Sequence, residues 1–291
     1  MSPALFILYL GSGPGAPNYP IQVWDSRTHS IHSFRLPVQG VPAYVSAAGP
    51  NEEIAAIIQT GDRAALVVCD VNGNRPASEL LVANRTGLYC PILSHSGKRL
   101  AYSITPGRPY PPRANASALI RIMELVGDIW QPLSSEILAA LAPFAWGKSE
   151  NELIIQKQDG SLVSTSVVGS HSERLISPHG RLPATAFDGR GICYLEGSDL
   201  AVQRASELLR FHVPDGVARL CWTPDGDSVV LARSSGVYRA AVYELDIKSG
   251  NSKQLFETAR VLSLDAITQL PGWNAFSSET APRSFPAAAV R

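Results

Sequence analysis

The chain has no excess of charge of either sign, since Lys plus Arg and Asp plus Glu each number 25 among its 291 residues. A net charge of zero supplies no overall field for a polyanion, which argues against nucleic acid and against a membrane surface as partners. Cysteine is also scarce, and none of the four residues stands in the short paired spacing that holds zinc. We therefore expect no cofactor and free thiols buried in strands. These cysteines are Cys69, Cys90, Cys193 and Cys221.

Long hydrophobic runs are missing as well. The longest apolar stretch near the start, residues 4–10, is too short to cross a bilayer. It has no basic segment before it and no small-residue cleavage site close behind it, so a secretory signal is not expected. We predict a β-strand at residues 6–10 and a cytoplasmic location.

Two enzyme signatures are absent from the sequence. It contains no Gly-x-Ser-x-Gly nucleophile elbow. Gly11, Gly13 and Gly15 do not form a dinucleotide fingerprint, because no helix pattern follows them. The sequence therefore carries no local motif of an α/β hydrolase or of a nucleotide-binding dehydrogenase.

What the chain does contain is a string that recurs five times: a four-residue turn, two mostly polar residues and three mainly apolar ones. The clearest copy is residues 223–231, TPDGDSVVL. A spacing in the range of about 35 to 55 residues is typical of repeat arrays. The five copies begin at Ala48, Ser94, Gly147, Ala186 and Thr223.

Strand signals surround each copy of the string. An apolar segment precedes it, and a strand with polar ends and a shorter polar strand follow, separated by Gly, Asn, Asp and Ser. The predicted unit is therefore four antiparallel strands, lettered a to d from the inside outwards. The apolar triplets of strand b occupy consecutive positions, which is typical of strands buried on both faces. One helical turn is predicted, at residues 134–141, where Ser-Ser-Glu resembles a capping sequence.

Five complete units fill residues 41–257, and the two chain ends supply parts of a sixth. The N-terminus offers strands b, c and d, and the C-terminus offers one strand near residues 266–270. We predict an all-β fold, a six-bladed β-propeller with four-stranded antiparallel blades, closed by a C-terminal inner strand pairing with the N-terminal three strands. Residues 1–273 are predicted to form this single domain and residues 274–291 a loosely ordered tail.

The units at residues 223–232 and 96–103 resemble the WD40-like propeller repeat of the TolB type, which also occurs in the propeller domains of prolyl oligopeptidase relatives. That repeat has a Ser-Pro-Asp-Gly-Lys turn, an apolar strand b, and then a strand that ends in Asp before a Thr/Ser-Gly turn. Residues 245–250, LDIKSG, match the last part. The resemblance implies a β-propeller fold.

In a propeller, the b–c and d–a loops surround one end of the channel, and we predict the functional site on that face. Several b–c loops carry Tyr and Arg, the side chains enriched at binding anchors, and prolines stiffen the loop at residues 105–116. They indicate either a recognition rim for a protein or an anionic small molecule, or plain solvent loops. The predicted binding residues are Tyr19, Arg108, Tyr110, Arg113, Tyr238 and Arg239.

Two d–a loops of neighbouring units bring imidazoles to the same face. His179, His212 and Asp215 are candidate acid–base groups or metal ligands, or else ordinary exposed loop residues. The preferred hypothesis is a non-catalytic binding or scaffolding propeller. The alternative is a small-molecule enzyme, an isomerase, cyclase or hydrolase, with these three residues at the channel mouth.

Overall fold

The computed structural model describes residues 5–12, 21–34, 36, 38–47, 53–70, 78–84, 86–106, 117–169, 172–236, 239–258, 260–267 and 275–276. In these ranges the secondary structure consists of strands and turns, and no helix there is long and apolar enough to cross a membrane. The strands are β1 (Phe6–Ser12), β2 (Ile21–Asp25), β3 (Ser30–Phe34), β4 (Val41–Ala47), β5 (Glu53–Thr60), β6 (Arg63–Asp70), β7 (Ser78–Asn84), β8 (Thr86–Leu93), β9 (Arg99–Pro106), β10 (Ser117–Val126), β11 (Ile129–Ala140), β12 (Ala145–Trp146), β13 (Glu152–Gln156), β14 (Leu162–Ser166), β15 (Glu173–Ser177), β16 (Gly180–Thr185), β17 (Gly191–Glu196), β18 (Asp199–Arg204), β19 (Glu207–His212), β20 (Val217–Trp222), β21 (Ser228–Gly236), β22 (Arg239–Asp246), β23 (Ser252–Thr258), β24 (Arg260–Ile267) and β25 (Ala275–Phe276).

Five sheets each contain four consecutive antiparallel strands: sheet 1 (β4–β7), sheet 2 (β8–β11), sheet 3 (β12–β15), sheet 4 (β16–β19) and sheet 5 (β20–β23). A further antiparallel sheet has the order β24-β1-β2-β3-β25. We call it the mixed sheet because its strands come from both ends of the chain. Within it, β1 pairs with β24 from Phe6↔Ile267 to Leu10↔Ser263. The predicted all-β propeller of antiparallel sheets is confirmed, and the five four-stranded sheets are blades of the predicted kind.

The mixed sheet differs from the prediction at its C-terminal strands. Strand β24 spans Arg260–Ile267 and so begins several residues before the predicted segment. The prediction missed its start because Ser263 and Asp265 interrupt the apolar pattern of the strand. Strand β25, Ala275–Phe276, pairs with Phe34 and Ser33, so these two residues of the predicted tail extend the sheet. Residues 277–291 lie outside the described part of the chain.

The predicted helical turn at residues 134–141 is wrong, because residues 134–140 belong to strand β11. Ile137 and Ala139 are buried, whereas Leu138 between them is 59% exposed. This alternation has the period of two that a strand imposes, not the period of a helix. The register pairs Arg121 with Glu136, and the two side chains form an ion pair at 2.6 Å.

The hydrophobic core lies between neighbouring sheets. In strand β21, Val229 and Leu231 pack into a cluster shared with sheet 4, whereas Val230 packs into a cluster shared with the mixed sheet. Successive side chains of a strand point to opposite faces, so a strand between two sheets needs apolar residues at consecutive positions. This explains why the sequence repeats an apolar triplet rather than an alternating pattern.

Two inner strands carry matching irregularities next to the channel. Cys90 in β8 has a φ of 47° and Leu182 in β16 a φ of 53°, and each lies at a β-bulge before a proline. A non-glycine residue with positive φ is strained, and such strain persists only where the surrounding structure enforces it. The carbonyl groups of Ile92 and Ala184 each come two residues after a strained residue.

Candidate functional site

The inner strands surround a cavity of about 170 Å³. Its wall takes residues from β4, β8, β12, β16 and β20, and from β24 of the mixed sheet. Each sheet contributes its innermost strand, so residues far apart in sequence meet around one space. Most of the wall is apolar or aromatic, and the polar side chains are few.

The cavity lies toward the a–b turns. His95 and Phe187, which belong to two of these turns, form part of its wall, and the other lining residues come mainly from the C-terminal halves of the inner strands. The sequence prediction put the functional face at the other end, where the b–c and d–a loops are. Among the described residues, the cavity therefore lies at the opposite end of the inner strands from the predicted rim.

Asp265 is the carboxylate in the cavity wall. Its Oδ2 accepts hydrogen bonds from the backbone N–H of Ala47 at 2.9 Å and from the Ser46 hydroxyl at 3.3 Å, and its Oδ1 accepts one from the Ala266 N–H at 2.9 Å. Burial raises the pKa of Asp265 from 3.8 to about 6, against the opposite effect of these donors. The side chain thus holds the last inner strand, β24, against the first, β4.

Two thiols line the same cavity. Burial raises the pKa of Cys90 to about 11, although the charge of Arg219 lowers it in part. Burial also raises the pKa of Cys221 well above its usual range, and the nearby carboxylate of Asp265 adds to this effect. Both thiols are therefore protonated at neutral pH and are poor nucleophiles. All four cysteines are free, as predicted, and Cys69, Cys193 and Cys221 are buried, whereas Cys90 is half-buried.

Two tryptophans close the joints between inner strands. The indole N–H of Trp146 donates to the Ile92 carbonyl at 3.2 Å, which links sheet 3 to sheet 2. The indole N–H of Trp222 donates to the Ala184 carbonyl at 3.1 Å, which links sheet 5 to sheet 4. Both acceptor carbonyls follow a strained X-Pro bulge, so the same combination of a bulge and an indole hydrogen bond occurs twice. We call these joints the indole seams.

Most of the predicted rim lies outside the described residues, namely Tyr19, Arg108, Tyr110, Arg113 and Tyr238. Arg239 is described and is exposed at the start of β22. The rim therefore stays a prediction.

The three residues of the alternative hypothesis are exposed and engage separate partners. The His212 Nδ1 lies 3.3 Å from Oδ1 of Asp199, and the Asp215 carbonyl accepts a hydrogen bond from Arg233 at 2.8 Å. The backbone N–H of His179 donates to Ser177 Oγ at 3.2 Å. In the part of the chain that the structure describes, no three His, Cys, Asp or Glu side chains are grouped to hold a metal ion.

Sequence reasoning missed Asp265 and Arg219, the charged side chains of β24 and β20 that reach the cavity wall. A usable signal was present, since Asp265 is a lone carboxylate in the otherwise mostly apolar segment VLSLDAI. It was overlooked because the predicted strand began at residue 266. A carboxylate inside an inner strand is a stronger pointer than an exposed loop histidine, because removing a charge from water needs compensation.

No family model matches this chain, and no curated protein sequence matches it. Solved structures do resemble it. TolB from Acinetobacter baumannii aligns with a TM-score of 0.69 at 14% identity over 90% of this chain, which spans 66% of the TolB chain. A protein of the nidogen–laminin complex aligns with a TM-score of 0.60 at 8% identity, covering 90% of this chain and 98% of that one. A provisionally named 6-phosphogluconolactonase from Bacteroides uniformis aligns with a TM-score of 0.55 at 12% identity, covering 91% and 100%.

Identities this low establish the fold and nothing finer. The chain has a TolB-like β-propeller fold, as the resemblance of its repeats predicted.

Proposed function

We propose that the chain is a non-catalytic binding module that engages a protein or an anionic small molecule through the channel of a six-bladed ring. In this proposal the mixed sheet is the sixth blade, and the pairing of β1 with β24 closes the ring. Inner strands fixed in a closed ring present a preformed surface, so little conformational entropy is lost on binding. The predicted rim of Tyr and Arg side chains belongs to the same proposal, as does a cytoplasmic location without nucleic acid or membrane as partner.

The observation that carries the proposal is the continuous wall of the cavity. Strands from both halves of the chain line one space, with many apolar groups and few polar ones, the composition typical of binding sites. Sites that enclose a whole drug-sized ligand have volumes of about 300–1,000 Å³. A cavity of about 170 Å³ suits instead a protruding part of a partner. One structural neighbour was solved as part of a protein complex, which is consistent with this use of the fold.

A channel-blocking substitution tests the proposal. Leu220 is half-buried in the cavity wall, and Leu220→Trp adds an indole to that space. The matched control is Leu208→Trp, the same exchange at a position 47% exposed on the outer strand β19. Chemical cross-linking in native host cells, followed by mass spectrometry, should recover a partner with the wild type and the control but not with Leu220→Trp. Equal recovery by all three proteins, at unchanged melting temperature, would contradict binding through the channel.

A second candidate function is catalysis on a small molecule. The observation that favours it is Asp265, a carboxyl group in a cleft with a pKa raised by burial, as is common for acid–base residues. Two structural neighbours are provisionally named as 6-phosphogluconolactonases, which gives a substrate to try. Hydrolysis of 6-phosphogluconolactone by the wild type, lost in Asp265→Asn, would replace the binding proposal by the enzymatic one.

A further inference from the structure

The side chain of Asp265 is half-buried in the cavity wall, and its hydrogen-bond partners carry no positive charge. Its three hydrogen-bond donors are the Ala47 N–H, the Ala266 N–H and the Ser46 hydroxyl, all of which are neutral. Among the described residues, no Lys, Arg or His forms an ion pair with it, and no cation contributes to its pKa. A buried charge that meets only neutral donors is costly, and a cation that reaches it recovers part of that cost.

The other ionisable groups of the cavity do not fill this role. Arg219 directs Nη1 to the Ala218 carbonyl of its own strand, at 2.6 Å. His95 lies in an a–b turn with Nε2 3.4 Å from the Gly147 carbonyl, and its charge acts on Glu150. Cys90 and Cys221 carry protonated thiols at neutral pH. Asp265 is held on the β4 side of the cavity, and none of these groups lowers its pKa through its charge.

The rest of the wall favours a cation with an apolar stem. Phe187 adds a half-buried aromatic side chain to the lining, and ring faces attract cations. Apolar surface also accepts the methylene stem of a lysine side chain while the ammonium reaches a polar group. The wall and the carboxylate therefore suit the two ends of the same kind of side chain.

The size of the cavity and the hydrogen bonds of Asp265 narrow the choice of cation further. A cavity of about 150 Å³ holds one benzene molecule, so about 170 Å³ admits one side chain or a small amine. Both carboxylate oxygens of Asp265 already accept a backbone N–H, which leaves no open pair of acceptors for the planar fork of arginine. An ammonium is a compact point charge that needs only one acceptor direction.

We infer that this cavity binds a primary ammonium group, carried by a lysine side chain of a partner protein, with the Asp265 carboxylate as its counter-ion. The inference rests on the proposed function and names the chemistry that the channel recognises. A lysine is expected to bind better than an arginine of equal reach.

The test compares two capped amino acids on the wild-type protein by isothermal titration calorimetry at pH 7.5. N-acetyl-lysine methylamide should bind at least about tenfold more tightly than N-acetyl-norleucine methylamide, which lacks only the ammonium. In Asp265→Asn this preference should fall to less than about threefold, and in the wild type it should weaken at pH 5, where the carboxyl is protonated. The matched control is Asp128→Asn, an exposed carboxylate in the β10–β11 turn, which should keep the full preference.

Each outcome decides a separate point. Equal binding of the lysine and norleucine probes overturns the inference, and this comparison needs no variant, so it stands even if Asp265→Asn fails to fold. Tighter binding of butylamine than of the lysine probe would overturn the assignment to a protein side chain, and the reverse order supports it. If the probes fail while Leu220→Trp still abolishes partner recovery, the ammonium inference is wrong and the proposed function stands.

Discussion

Three joints between inner strands are built in two different ways. At the indole seams, Trp146 and Trp222 fill the space between neighbouring strands, and each donates its indole N–H to a backbone carbonyl. At the joint of β24 with β4, which we call the carboxylate seam, the side chain at the corresponding end of the strand is Ala47, and Asp265 reaches across to its N–H. Ser263 adds a second link by accepting the Val45 N–H at 3.2 Å.

The difference shows how one repeated fold acquires a distinct site. An indole contributes a large buried surface and a neutral hydrogen bond, so the seam that it forms is apolar and satisfied. A small residue with a carboxylate opposite leaves a half-buried carboxyl group beside the cavity. The joint between β24 and β4 is therefore where the cavity wall holds its carboxylate.

The largest expected effect is the loss of an indole seam. Trp222 is 2% exposed, and besides its link to Ala184 the Arg204 guanidinium lies over its ring at 5.6 Å. Trp222→Ala should lower the free energy of unfolding by about 3–5 kcal/mol, because it leaves a cavity between sheets 4 and 5. Urea unfolding followed by circular dichroism measures this change.

The same measurement on Ser263→Ala gives the contribution of one hydrogen bond of the carboxylate seam to stability. That substitution leaves the Val45 N–H without its acceptor and should lower the free energy of unfolding by about 1–3 kcal/mol. A larger loss for Ser263→Ala than for Trp222→Ala would reverse the proposed ranking of the two seams.

The second effect depends on pH and belongs to the carboxylate seam alone. The pKa of Asp265 is raised to about 6, so between pH 4 and pH 6 the folded protein holds this proton more tightly than the unfolded chain. The stability that Asp265 contributes is therefore complete below about pH 4 and is lost as the pH rises through about 6. A rise from 3.8 to about 6 corresponds to a loss of about 3 kcal/mol.

Asp265→Asn removes this titration while its amide oxygen still accepts one N–H. The variant should match the wild type near pH 4 and gain relative stability as the pH rises to 8, by at most about 3 kcal/mol. Urea unfolding of both proteins at several pH values measures the difference, in which the groups common to both cancel. Parallel stability curves for the two proteins would mean that the carboxylate is not held as described.

The sequence predicted the seams only in part. It places Trp146 and Trp222 directly before two copies of the repeated string, at the ends of the inner strands that form the indole seams. It also predicts the four-stranded unit, because a turn followed by an apolar triplet is a local pattern that can be read directly from the sequence.

The site could not be predicted in the same way. Asp265 meets Ser46 and Ala47 across more than 200 residues, and no local spacing encodes that contact. Loop histidines such as His212 were chosen because their chemistry is visible in the sequence, whereas the burial that alters a carboxyl group appears only once the inner strands are assembled. The helical turn at residues 134–141 failed for a related reason, since its pairing with β10 outweighs its local capping sequence.

The smallest expected effect concerns the close packing of Gly191 against the Trp222 ring at the indole seam. A Cβ at Gly191 would lie 2.7 Å from Cη2 and 3.0 Å from Cζ2 of the Trp222 ring, and a rigid buried ring has little room to move. Gly191→Ala should therefore cost about 1–3 kcal/mol of folding free energy through overpacking. In a Trp222→Phe background, where the outer ring atoms are absent, the same substitution should cost less than half as much, so the two changes should be non-additive in a double-mutant cycle. Equal costs in both backgrounds would show that the glycine is required for the backbone of β17 and not for its contact with the indole.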